Sequence, residues 1–203
     1  VQRRAMYDRH ARLARATKEG DHDFAAFGQC ALSVEMNKDQ NGLLYRCWHL
    51  RDMAWQEEAE GDIGFVARRW KPTANTLKQT FKKVHQKVTD AAAKTPFEEF
   101  DVLHMIVPVE MYDEKSRSGM QRFSIFYDRA HDFVMDATPI HGKHYIIPRW
   151  QTVSGSQYSY SPATVCALPD ARLLQAMTFT LLEAGEKATS PPLIATKDAI
   201  RGD

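Results

Sequence analysis

The sequence predicts an α+β fold: a mainly antiparallel sheet domain with flanking helices, followed by a long C-terminal helix. Two observations carry this reading. Short β-branched and aromatic runs recur between Cys30 and Ile147, separated by Gly, Asn, Asp and Pro, the pattern of strands and turns. From Ala171 to Ala188 the spacing becomes helical, and Ser190-Pro191-Pro192 stops it, because neither proline donates the hydrogen bond that continuation needs.

At 203 residues the chain holds one substantial core, or one domain with an extension. With 43% hydrophobic and 26% charged residues it is not disordered overall. Its 27 basic and 26 acidic side chains leave a net charge of +1, so a surface that grips DNA phosphates all over is not expected. Cys30, Cys47 and Cys166 are widely spaced and form no CxxC pair; reduced thiols are expected rather than a disulfide or a zinc site. No apolar run approaches membrane-spanning length and no signal peptide is visible.

In chain order, Val1 to Lys18 reads as a basic amphipathic helix. Met6, Tyr7, His10, Leu13 and Ala14 lie on one side, with Arg4, Arg12, Arg15 and Lys18 on the other. Such a face fits contact with DNA or an acidic neighbour, or plain solvation. Gly20-Asp21-His22-Asp23 reads as an interruption, with Asp21 or Asp23 capping a short helix through Ala26. Cys30–Met36 and Leu43–Leu50 flank Asn37–Gly42, whose terminal Asn-Gly predicts a hairpin. Ala54–Glu57 and Ile63–Trp70 read as two further strands around Glu60-Gly61-Asp62.

Thr73 after Pro72 is a helix cap, and Leu77, Phe81, Val84 and Val88 recur at helical spacing, predicting a helix or helix pair that ends near Ala93. Its lysines read as a solvated face. Phe97–Met111, Arg122–Tyr127, Phe133–Ile140 and Tyr145–Ile147 are strands, with Asp113–Gly119 a polar turn segment. A Gly/Ser/Tyr loop follows. Ser161-Pro162 and Pro169-Asp170 are both helix-start signals, which predicts a helix begun in two pieces. Within it Leu173, Leu174, Met177, Leu181, Ala184 and Ala188 share one arc, while Arg172, Gln175, Glu183 and Glu186 oppose them. Phe179 and Leu182 break that polar face, and Glu183 and Lys187 are spaced as an i,i+4 pair.

No catalytic constellation emerges. His141 and His144 lack a third ligand for zinc, and the acid–histidine neighbours His131-Asp132 and Asp101…His104 have no accompanying nucleophile motif. There is no G-x-S-x-G, P-loop or G-x-G-x-x-G, and Ser154-Gly155-Ser156 reads as a loop. No catalytic residue, metal ligand or cofactor is assigned.

The succession IIPRW…SG…Y…SP…ALPDARLL…PPLI, with FGQCALSVE (Phe27–Glu35) and FDVLHMIVP (Phe100–Pro108), resembles the portal proteins, or head-to-tail connectors, of short-tailed bacteriophages. The likeness is tight over about fifty residues, Tyr145–Ala195, and looser upstream. It implies a non-enzymatic ring subunit, typically of a dodecamer, at one capsid vertex, through which double-stranded DNA is packaged and ejected without sequence preference.

The implied partners are further copies of the chain, the major capsid protein, terminase and tail adaptor proteins. No membrane is involved, and the implied location is the virion, after assembly in the host cytoplasm. In family terms residues 1–20 are a basic N-terminal helix and 21–155 an α+β wing. Residues 156–190 are then a loop and stem helix, and 191–203 the start of the clip. Such portals are considerably longer, so a second stem helix and a crown are expected elsewhere.

In a ring, Phe179 and Leu182 are expected at the subunit interface, and Glu183 and Glu186 facing the DNA path. The competing expectation is a stand-alone small-ligand module or enzyme with His104, His131 and aromatic residues lining a pocket.

Overall fold

Side-chain alternation decides the sheets. A computed structural model describes residues 2–37, 39–58, 60–112 and 119–191, and the chain divides into two units, residues 1–161 and residues 162–203. The first unit opens with α1 (Gln2–Met6), a bend, and α2 (Leu13–Phe27). The single basic helix expected over Val1–Lys18 is therefore broken. Arg12 takes a left-handed backbone (φ 59°), and the Ala11 carbonyl is held by the Tyr45 N–H at 2.8 Å.

The expected interruption at Gly20–Asp23 is instead the interior of α2. A Cβ at Gly20 would sit 3.3 Å from Leu32 Cδ2 and 3.4 Å from Cys30 Sγ, so glycine here lets the helix lie close on the strands below. The helix ends at Gly28, whose φ of 72° suits a left-handed cap. A side chain there would also overlap the Tyr160 carbonyl.

β1 (Ala31–Met36) and β2 (Leu43–Trp48) form the expected antiparallel hairpin. A 3-10 turn (Leu50–Asp52) leads to β3 (Met53–Glu57) and β4 (Ile63–Trp70), another antiparallel pair. Thr73 caps α3 (Ala74–Thr80) by accepting the Thr76 N–H, and α4 (Gln86–Lys94) completes a helix pair. The strand expected over Phe97–Met111 is shorter. β5 spans Val102–Pro108, α5 takes Val109–Tyr112, and Phe97 is 84% exposed. Of the expected turn at Asp113–Gly119, residues 113–118 lie outside the described residues.

β6 (Arg122–Asp128) and β7 (Phe133–Ile140) follow, then β8 (Tyr145–Ile146) and a small hairpin of β9 (Gln151–Thr152) and β10 (Ser159–Tyr160) inside the expected loop. The strand orders are β3-β4-β5-β6-β7 and β2-β1-β8, antiparallel throughout. Pro139 falls on β7, an edge strand where a missing N–H is tolerated.

One face of the larger sheet carries two apolar clusters. Val102 packs with Leu77 and Val88 of the helix pair, and Ile106 with Trp55, Val66 and Tyr145 near the smaller sheet. His104 lies between them on the same face of β5.

The second unit is a helix. Its backbone is already helical at Pro162, passes through a π turn (Ala163–Ala167) and continues as α6 (Leu168–Thr189). The two-piece start is thus one continuous helix. Pro169 cannot donate a hydrogen bond and crowds the preceding turn; the wider turn, closed by Leu168 N–H on the Ala163 carbonyl, accommodates it.

Candidate assembly interface

At about 1.5 Å per residue, the 22 residues of α6 make a rod about 33 Å long. With about 100° per residue its large apolar side chains fall into two stripes. Leu173, Leu174, Met177 and Leu181, with Ala184 and Ala188 between, form the broad one. Leu168, Phe179 and Leu182 form a narrow one on roughly the opposite side. None of these is buried: exposure is 60–73% for Leu173, Leu174, Met177, Phe179, Leu181 and Leu182. An ordinary soluble helix buries its apolar stripe, and this one carries two exposed ones.

Phe179 is one turn before Glu183, and Leu182 one turn before Glu186. The four residues share one side of the helix, with Glu186 between the two apolar groups. The i,i+4 pairing of Glu183 with Lys187 does not form: no ion pair involves either glutamate among the described residues. Residues beyond Pro191, where the clip was expected, are outside the described residues.

The histidines behave as structure. His104 is 1% exposed; its Nδ1 meets the Tyr145 hydroxyl at 2.6 Å and its Nε2 the Ser124 hydroxyl at 2.8 Å. Its ring stacks on Phe126 at 4.1 Å, so no solvent-borne substrate reaches it, contrary to the pocket expectation. Burial, then the nearby Arg68 charge, pushes it down to about 3. His131 bonds the fully buried Asp128 at 2.8 Å and stacks on His85 at 4.6 Å. Among the described residues, His144 Nδ1 is buried without a hydrogen-bond partner.

The three cysteines are free thiols: Cys30 buried, Cys47 half-buried and Cys166 exposed. Burial pushes Cys30 and Cys47 up to about 11, which leaves them poor nucleophiles. Among the described residues, no group of three or more His, Cys, Asp or Glu could hold a metal ion.

The model of the bacteriophage head to tail connecting protein family matches residues 4–203. The chain belongs to that family. No curated protein matches it. As a head-to-tail connecting protein it is a virion component, in a family that is structural rather than catalytic. No helix among the described residues is long and apolar enough to cross a membrane.

Sequence reading identified Phe179 and Leu182 as out of place on a polar face and put the leucines on one arc, without showing that this arc too is exposed. It also missed the buried polar group formed by Arg68, His104, Ser124 and Tyr145. The signal available was His104 itself, in register with Val102 and Ile106 in an alternating strand.

Proposed function

We propose that this connecting protein is a subunit of a portal ring at one capsid vertex. In this reading copies close into a dodecamer whose bore passes double-stranded DNA during packaging and ejection. The ring meets the major capsid protein around its rim, terminase during packaging and tail adaptor proteins afterwards. Residues 1–20 and 21–155 make the N-terminal segment and wing, 156–190 the loop and stem helix, and 191–203 the start of the clip.

The observation that carries this is α6, with large apolar side chains uncovered on two opposite sides. A helix in a closed ring has a neighbour on either flank, and each stripe then has a cover. Burying a Leu, Met or Phe side chain is worth about 1.5–3 kcal/mol, so covering Phe179 and Leu182 alone contributes usefully to each subunit contact. On this assignment Glu183 and Glu186, one turn further along the helix than Phe179 and Leu182, face the DNA path past the end of that contact. A rim of unpaired carboxylates repels phosphate over about 8–10 Å and keeps DNA sliding.

Electron microscopy of the purified protein tests the reading. Closed rings with one rotational symmetry in end-on views are expected; a field of single particles without symmetry contradicts it.

A further inference from the structure

The bend between α1 and α2 gathers arginines that are far apart in sequence. Ala11 is 1% exposed and tied to Tyr45, the neighbour of Arg46 on β2. Asp8 accepts the His10 N–H at 2.7 Å, and Arg12 makes the left-handed turn. The bend thereby brings Arg9 and Arg12 beside Arg46: all three line an open hollow of about 800 Å³. Arg12 and Arg46 also line an adjoining hollow with Arg15.

Arg15 is paired with Glu19 at 2.8 Å. Arg9, Arg12 and Arg46 form no ion pair among the described residues. Asp8 and Asp39 also line the larger hollow and temper its field without neutralising the three guanidiniums. The wider context is basic too. Residues 1–20 hold six of the 27 basic side chains and two of the 26 acidic ones, a local +4 in a chain whose remainder is −3.

We propose that Arg9, Arg12 and Arg46 form a phosphate-binding patch that holds the backbone of duplex DNA without reading its sequence. The proposal rests on the portal reading, which supplies the DNA, and concerns the first unit rather than α6. A guanidinium presents a planar fork that meets a phosphate with two parallel hydrogen bonds. Three of them around one hollow suit successive phosphates. Among the described residues no Phe, Tyr or Trp lines that hollow, so it lacks the aromatic anchor typical of a protein partner's hot spot.

The test is fluorescence anisotropy of labelled random-sequence duplex DNA with the full chain, titrated from low to moderate salt. Wild type is compared with R9Q/R12Q/R46Q and with the charge-retaining R9K/R12K/R46K. Each phosphate contact contributes about 0.9 to the slope of log affinity against log salt. The Gln variant is therefore expected to lose about 3 in slope and to bind roughly tenfold or more weakly at low salt, while the Lys variant keeps most of the slope. Equal binding by wild type and the Gln variant overturns the patch, as does no binding by wild type. Polyglutamate displacing DNA at lower concentration than unlabelled duplex overturns it in favour of an acidic protein partner. Native mass spectrometry on the same samples reads ring formation separately. A slope loss in unassembled protein upholds the patch while the ring fails, and intact rings with unchanged slope sink the patch alone.

Discussion

Arg68 of β4 donates its Nε–H to the hydroxyl of Tyr145 on β8 at 2.9 Å, joining the five-stranded sheet to the three-stranded one across 77 positions of sequence. The same hydroxyl can give its own proton to His104 Nδ1, leaving Nε2–H to donate to Ser124. The Arg68 guanidinium lies 3.9 Å from the Trp48 ring and 5.7 Å from that of Trp70. A cation only 7% exposed is thereby held by π faces and a hydroxyl rather than by a carboxylate.

Tyr145→Phe removes one oxygen and leaves two buried groups, Arg68 Nε–H and His104 Nδ1, without their partner. Each such orphan costs about 1–3 kcal/mol. Urea unfolding is expected to show a loss of about 2–4 kcal/mol, through a lower midpoint at unchanged slope. A loss below about 0.5 kcal/mol would mean the two sheets are held by the apolar cluster alone.

His104 also gives the fold a pH dependence. Its native value is about 3, against about 6.5 in an unfolded chain. Its contribution is fully present above about pH 6.5. As pH falls toward 3 the unfolded state takes up a proton that the native state refuses, and stability drops by about 1.4 kcal/mol per pH unit. Comparing wild type with His104→Gln between pH 6 and 4 cancels the carboxylate contributions common to both. The wild type is expected to lose stability more steeply, by about one proton's worth; parallel curves would show that His104 titrates normally in the fold.

Much of the fold was legible from local signals. The Asn-Gly before Leu43, the cap at Thr73 and the apolar and aromatic run through Arg122–Tyr127 each act within a few residues, and the corresponding elements formed. What was not legible depends on contacts between distant segments. Gly20 looks like a breaker until Leu32 and Cys30 are placed beneath it. Arg12 looks like one more residue on a basic helix face until Tyr45 is seen holding Ala11. Pro169 reads as a start signal because nothing local announces that a π turn can absorb it. For the candidate interface the limit is different. Periodicity locates Phe179 and Leu182 on the wheel, but only their exposure shows that nothing described in their own unit covers them.

The proposed placing of Glu183 and Glu186 on the DNA path has its own consequence. Glu183→Lys with Glu186→Lys replaces unpaired carboxylates by cations that attract phosphate through counterion release. Rings are expected to form as before, DNA packaging to slow, and the defect to ease as salt rises. Unchanged packaging kinetics in correctly assembled variant rings would place these glutamates away from the DNA path.

Copies of this chain, on the proposed function, close into a ring through the uncovered faces of α6, and native mass spectrometry reads that closure from the mass of the oligomer. The wild-type chain, 23.2 kDa per copy, is expected as one closed oligomer, a dodecamer. Phe179→Ser with Leu182→Ser is expected to shift it to monomers and small open forms while the far-ultraviolet circular dichroism of the subunit stays the same. A wild type that remains monomeric at every concentration, or a double variant that assembles as readily as wild type, would rule out ring closure through these faces.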